Sequence, residues 1–394
     1  LEKFDLLKIV RVPRAEWRLP IPGLTILDRY LVTELLLPFL FGVAAFTSIS
    51  MAIGSLFELV HLITENGLPL MTALQVFCLR LPGVVVYTFP MSMLLASLLA
   101  FGRLSGDSEV ISMQASGVSI YRIVAPTLGL SLLVTALTFA FNEVIVPSAN
   151  QEASFTLTRS LDRDKPLITK DNILYPEYGW VEHKDGTRDF GLTRLFYARR
   201  FQDGVMTGLT ILDYSQDGLQ QVVTADNATW DPTRKLWVFR NGTTYLVAAN
   251  GTYRNILRFD EQQVHIDDRP LKLAQMSRRP EEMTTSELRE YIDLAQKSGQ
   301  DFKGLLVSLY QKYAIPTVCF TFALVGAPLG LRRQRTSNAL GLGLSIIIIF
   351  SYYVFLFVSQ ALGQTGTLPA WLGAWLPNIV TVAVGSYLLW RVAR

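Results

Sequence analysis

Six stretches of about 20 residues each pass without a single charged side chain: 35–57, 81–102, 123–142, 313–331, 339–361 and 368–390. A helix of about 20 apolar residues crosses the hydrocarbon core of a bilayer. A helix also satisfies its own backbone hydrogen bonds there, which irregular chain does not. The composition agrees: half of the 394 residues are hydrophobic and only 18% are charged, against about a quarter in soluble domains. The sequence therefore reads as a polytopic membrane protein, which excludes a soluble enzyme and a secreted domain.

The runs fall into two groups of three, giving spans 1–3 over residues 30–62, 68–102 and 120–146, and spans 4–6 over 304–331, 337–362 and 369–390. Lys and Arg in short loops mark the cytoplasmic side. Basic residues gather before span 1 (Lys3, Lys8, Arg11, Arg14, Arg18, Arg29) and between spans 2 and 3 (Arg103, Arg122). They gather again between spans 4 and 5 (Arg332, Arg333, Arg335) and in the tail (Arg391, Arg394), while the loops 61–69 and 363–370 have none. Both termini are thus expected in the cytoplasm and the long polar insert outside. The expected domains are a cytoplasmic segment 1–29, spans 1–3 over 30–147, an extracytoplasmic β-rich domain 148–303 and spans 4–6 over 304–394. Residues 1–29 carry mixed charge and Pro13, Pro20 and Pro22, without the short apolar core of a signal peptide.

Within the insert, β-branched and aromatic runs at 195–201, 209–214, 220–225, 236–240 and 243–247 alternate with Asp203-Gly204, Asp217-Gly218 and Asn241-Gly242. Asp-Gly and Asn-Gly between such runs are hairpin signals. Regular spacing of this kind suggests a sandwich, jelly roll or open barrel. Asn227, Asn241 and Asn250 open N-x-Thr sequons, and the last two, each before Gly, read as turn chemistry. Residues 281–297 have helical spacing, with Thr285 or Ser286 as cap, and lead back to span 4.

Several chemistries are excluded. No lysine follows a glycine, so no Walker A motif occurs. Neither G-x-S-x-G nor H-E-x-x-H is present. His61, His183 and His265 are far apart in sequence, and Cys78 and Cys319 belong to or border apolar runs. No catalytic residue, metal, cofactor or nucleic-acid partner is expected.

Two features carry functional weight. The first is the loop between spans 2 and 3, expected to form a cytoplasmic helix over about 105–117 of two to three turns. Asp107 and Glu109 suit a helix N-terminus, with Ser105 or Asp107 as cap, and Gly117 suits the end. Val110, Ile111 and Met113 give the helix apolar residues, suited either to a groove on a soluble partner or to the membrane surface. The second feature is the pair Arg80 and Lys312, about 18 Å and 12 Å into spans 2 and 4 on the outward side. Ionisable residues at such depth mark functional sites, unless they snorkel to the interface. Pro82, Pro90, Pro316 and Pro328 are expected to kink spans 2 and 4.

The stretch Asp107-Ser-Glu-Val-Ile-Ser-Met-Gln-Ala-Ser-Gly117 resembles the coupling-helix signature of the lipopolysaccharide-export permeases, the LptF/LptG family. Leu27-Asp-Arg-Tyr30, Pro328-Leu-Gly-Leu-Arg332 with Arg335, and Leu368-Pro with Trp375-Leu-Pro-Asn378 resemble that family's segments at spans 1, 4 and 6. The resemblance implies one half of the membrane part of an ABC exporter. A second permease, a cytoplasmic ABC ATPase dimer and a periplasmic jelly-roll bridge would be its partners. The insert would be a jelly roll, and lipopolysaccharide or a related glycolipid the cargo. Glu109 would meet a basic residue of the ATPase, with Asp107, Val110 and Met113 beside it; Arg80 and Lys312, from their depth in the spans and not from the resemblance, are the candidates for binding the substrate. One departure stands out: 31–67 has no Lys or Arg where many relatives carry lysines for lipid phosphates. Two rival readings are a membrane-embedded lipid-modifying enzyme and a membrane-anchored sensor.

Overall fold

The computed structural model describes residues 25–161, 169–182, 188–202, 204–215, 218–234, 236–248, 252–264, 279–297, 301–331 and 338–394. The basic residues before 25, Arg332, Arg333, Arg335, His183, His265, Asn250, Asp203 and Asp217 lie outside the described residues. Six helices are long and apolar enough to cross a membrane: Ile26–Glu65, Leu70–Gly106, Ile120–Leu157, Lys303–Gly330, Gly341–Gln364 and Ala370–Ala393. These are spans 1 to 6. Spans 2 and 4 are the most enclosed, and the other four turn most of their apolar surface outward.

Small residues let the two central spans touch, as packing between membrane helices requires. A Cβ on Gly326 or on Gly330 of span 4 would come within 2.8 Å of Ser97 Cβ or Phe101 Cβ of span 2. Two prolines open places where polar side chains cross between spans. Pro316 has no N–H to give the carbonyl of Lys312 one turn earlier; Asn142 of span 3 donates to it instead, at 3.3 Å. Pro377 likewise frees the carbonyl of Gly373, and Ser359 of span 5 donates to it at 2.8 Å. Next to Pro377, buried Asn378 donates to Ala314 O at 2.8 Å and Thr317 Oγ1 at 2.9 Å, and accepts from Tyr352. Spans 4, 5 and 6 are thereby joined by a satisfied polar network.

Spans 1 and 3 each contain one π-helical stretch, Met51–Leu56 and Phe141–Ile145. Each π turn inserts an extra residue and re-aims the side chains after it, an arrangement common at functional sites.

The insert is one six-stranded antiparallel sheet in consecutive order. Its strands are β1 (Thr169–Glu182), β2 (Arg188–Gln202), β3 (Val205–Asp213), β4 (Gln221–Asp231), β5 (Leu236–Val247) and β6 (Tyr253–Val264). In a flat sheet β2 and β5, three strand spacings apart, would lie about 14 Å from each other. Yet the rings of Phe196 on β2 and Trp237 on β5 are 5.9 Å apart. The sheet therefore curls about one apolar face, burying Tyr175, Phe196, Phe201, Met206, Ile211, Trp237 and Phe239 inside the curl. Asp231 closes the β4–β5 turn by accepting from the amides of Thr233 and Arg234 at 2.9 and 3.2 Å. Those amides hold its carboxyl below the usual carboxylate range.

Two local expectations are corrected. Asn241-Gly242 is not a hairpin turn: 236–240 and 243–247 are one strand. Asn241 takes a left-handed φ of 52° inside β5, and Gly242 leaves room for the ring of Phe259 on β6. The pair is a kink within a strand. The helix Thr285–Lys297 is capped by Thr284, one residue earlier than expected, in a reciprocal box with Glu287 (Thr284 N to Glu287 Oε2 2.8 Å; Glu287 N to Thr284 Oγ1 3.3 Å). Glu143, from the π turn of span 3, also accepts from the amide of Thr285 at 3.0 Å and from its hydroxyl.

Candidate functional site: an outward cavity and an inner-end helix

At the end of the bundle that leads into the sheet, a cavity of about 400 Å³ opens between spans 1 to 5. Arg80 and Lys312, singled out separately in the sequence, both line it. So do Ser55 and Asn142, one from each π stretch, and the connecting segment Arg279, Pro280, Glu281 and Glu282. The π turns and Pro316 therefore shape this cavity: the residue that caps the carbonyl of Lys312 is itself part of the wall.

The two cations stand in different environments. Arg80 grips Glu58 of span 1 with both arms of its guanidinium, Nη2 to Oε1 at 3.1 Å and Nη1 to Oε2. This bidentate fork joins spans 1 and 2 beside the cavity. Lys312 is 8% exposed. Among the described residues its ammonium has no ion-pair partner, and the carboxylates whose field reaches it are Glu143, Glu281 and Glu287. Glu143 is already bonded to the helix start at Thr285. A buried ammonium with no direct counter-ion is costly in a protein interior and marks a place where an anion is welcome.

At the opposite end, span 2 turns sharply into a short helix. Span 2 runs through Gly106, Ser108 adopts a left-handed φ of 60°, and the helix is Glu109–Ala115. It is shorter than the expected 105–117, and neither Ser105 nor Asp107 caps it: Ser108 sits at the N-cap without a side-chain hydrogen bond. Val110 is buried among Leu31, Phe101, Leu104, Ile123 and Leu331, with Met113 packed against the same cluster. These two seat the helix on the bundle, while Asp107, Ile111, Ser112 and Gln114 stay exposed.

Span 1 locks this end. Its Thr25–Asp28 capping box presents Asp28 to Arg122, with Nη1 to Oδ1 at 2.6 Å and Nη2 to Oδ2 at 2.9 Å. Glu34 pairs with Arg103. Tyr30 donates its hydroxyl to Glu109 at 2.6 Å. In the sequence, Leu27-Asp-Arg-Tyr30 stands out only by its likeness to the family's entry to span 1. In the fold, Tyr30 ties the short helix to span 1, and Asp28 ties span 1 to the start of span 3. Asn142 and Glu58 were also missed as site residues; their roles depend on long-range pairing that no local spacing reveals.

Comparison with known proteins agrees with this architecture. The family model for lipopolysaccharide export system permease LptF/LptG matches residues 29–391. The lipopolysaccharide export system permease protein LptG of Haemophilus influenzae is 25% identical over 321 residues, covering 79% of this chain and 84% of that protein. The protein of the same name from Escherichia coli K12 is 25% identical over 335 residues, with the same coverage. The match takes in both span groups and the sheet between them, and it leaves neither a lipid-modifying enzyme nor a sensor as the better reading. The chain belongs to the LptF/LptG family of lipopolysaccharide export system permeases.

Proposed function

We propose that this permease takes lipopolysaccharide, or a related glycolipid, from the outer leaflet of a bacterial inner membrane and hands it to its own β sheet for onward passage. The observation that carries the reading is the cavity at the sheet end of the spans, where a buried, unpaired Lys312 and a nearby Arg80 face one space. The basic loops support the orientation, with both termini cytoplasmic and the sheet periplasmic. An anionic headgroup would enter beside spans 1 and 5 and rest against Lys312. Its acyl chains would follow the apolar interior of the curled sheet, where Phe196, Trp237 and Phe239 lie. A matching β domain of a periplasmic bridge would receive them.

Energy would come from a separate cytoplasmic ATPase dimer that docks on the helix Glu109–Ala115, with a second permease completing the membrane part. Tyr30 occupies one of the acceptor positions of Glu109. A carboxylate offers about four, so the rest remain for a basic residue of the ATPase. Val110 and Met113 would act by seating the helix, and Asp107 and Ile111 would meet the partner at its surface.

A photo-crosslinking residue at Ser308 or Gln360 tests the reading, since both line the cavity and neither is charged. In cells, crosslinks to lipopolysaccharide are expected from these positions and not from Leu133, on the outward face of span 3. Equal labelling from Leu133 would show contact with bulk lipid only.

A further inference from the structure

Among the described residues, the proposed headgroup cavity holds as many acids as bases. Arg80, Arg279 and Lys312 line it, and so do Glu58, Glu281 and Glu282. Arg80 is moreover already neutralised by its two-armed contact with Glu58. Glu282 accepts a hydrogen bond from Ser154 at 2.7 Å at the wall. Upstream of Arg80 there is no other Lys or Arg from residue 31 onward, so spans 1 and 2 bring no further cation to this side.

Each phosphate monoester carries about −1.5 to −2 at neutral pH. Among the described residues, a headgroup with two of them would meet the buried ammonium of Lys312, the exposed Arg279, two carboxylates, Glu281 and Glu282, and the self-neutralised Arg80–Glu58 pair. Like charges brought together at one binding site oppose binding. A metal ion held by the protein is not an evident remedy: among the described residues no three His, Cys, Asp or Glu side chains converge to hold one. Among the described residues no further cation lines the wall, and a positive charge carried by the lipid itself would answer these carboxylates.

Resting on the headgroup reading above, we infer that the cavity selects a zwitterionic glycolipid headgroup, one whose acid is accompanied by an amine. The acid sits on Lys312. The amine faces Glu281, while Glu58 holds Arg80 back. This selectivity is a property of the charge pattern, and it has a direct signature. Removing the carboxylates should convert the site into one that prefers bare anions, because Glu58→Gln also releases Arg80.

The test is competition for the photo-crosslink at Gln360 in the full-length permease assembled with its partners in nanodiscs. Three probes compete: bis-phosphorylated lipid A, lipid A with its phosphates capped by ethanolamine, and lipid A stripped of phosphate. The capped lipid is expected to compete about tenfold better than the bis-phosphorylated one, the scale of one charge contact. In the Glu58→Gln/Glu281→Gln variant the order should reverse. Lys312→Gln, in the otherwise native chain, should bring the capped lipid down to the level of the phosphate-free one. Best competition by the bis-phosphorylated lipid in both native chain and variant would overturn the inference while leaving the headgroup cavity intact. Competition by none of the three would remove the headgroup reading itself, and the inference with it.

Discussion

Lys312 and Arg80 show why residue identity alone misjudges a site. Judged by type, Arg80 is the stronger phosphate ligand, since a guanidinium binds an oxyanion with two parallel hydrogen bonds. In the fold that fork is already spent on Glu58, and Lys312 is the cation left without a partner. Lys312→Ala is therefore expected to cut lipid-stimulated ATPase activity in proteoliposomes more than Arg80→Ala. Arg80→Ala should act chiefly by loosening Glu58 and the contact between spans 1 and 2. A larger loss from Arg80→Ala, with assembly intact, would return the primary role to the arginine. Glu109 admits a similar separation of roles. Glu109→Gln keeps an oxygen for Tyr30 and loses the charge, whereas Tyr30→Phe keeps the charge and loses the hydrogen bond. If the charge meets the ATPase, Glu109→Gln should weaken ATPase coupling by the roughly 2–5 kcal/mol of a broken interfacial charge pair. Tyr30→Phe should cost only about 1 kcal/mol, the scale of one hydrogen bond. ATPase rates of the assembled complex distinguish the two, and equal losses would mean that Glu109 serves only to hold its own helix in place.

Among the elements, what a local pattern can carry was legible and what depends on a distant neighbour was not. The six spans follow from uncharged length, and most of their observed ends lie close to the expected ones; span 3 is the exception, its helix continuing past Glu143 and Pro147 to Leu157, into residues expected to belong to the β-rich domain. The π turns at Met51–Leu56 and Phe141–Ile145 have no such signature. Asn241-Gly242 shows the same limit within the sheet. An Asn-Gly pair reads as a turn because both residues tolerate positive φ, yet here the ring of Phe259 across the strand pair uses the missing Cβ. A Cβ at Gly242 would lie 2.1 Å from Phe259 Cζ and 2.5 Å from the carbonyl oxygen of Thr224. The ring can swing away, but the backbone oxygen is fixed by the β4–β5 ladder. Gly242→Ala should therefore destabilise the sheet by about 1–3 kcal/mol, as overpacking does. Gly129→Ala, which meets open space, should be silent. Thermal unfolding of the purified full-length protein, followed by limited proteolysis of the insert, gives the comparison; matching midpoints for the two variants would contradict the kink.

On the scale of the whole molecule, the cavity and the sheet make one continuous problem: where a lipid's acyl chains go after its headgroup is held. β5 pairs with β4 on one side and β6 on the other, so its backbone is fully used within this chain. The free ladders among the described strands are those of β1 and β6 at the two ends of the sheet. An open edge invites a further strand, and β-strand addition is a recurrent way for β domains to join. Consecutive residues on a strand point to opposite faces, and on β6 both Ile256 and Leu257 are largely exposed, at 62% and 57%. An edge strand with apolar side chains on both faces has no cover in its own sheet, which favours β6 as the edge that a periplasmic β domain extends. The two regions should then separate by what they capture. A photo-crosslinking residue at Ile256 should trap a protein partner, while one at Phe239, buried on β5 inside the curl, should trap lipid. The partner crosslink should persist when the ATPase is inactive, because strand pairing needs no turnover, whereas the lipid crosslink should fade with it. Protein captured from Phe239 and lipid from Ile256 would invert the assignment, and would mean that the partner enters the curl while the lipid travels along the edge.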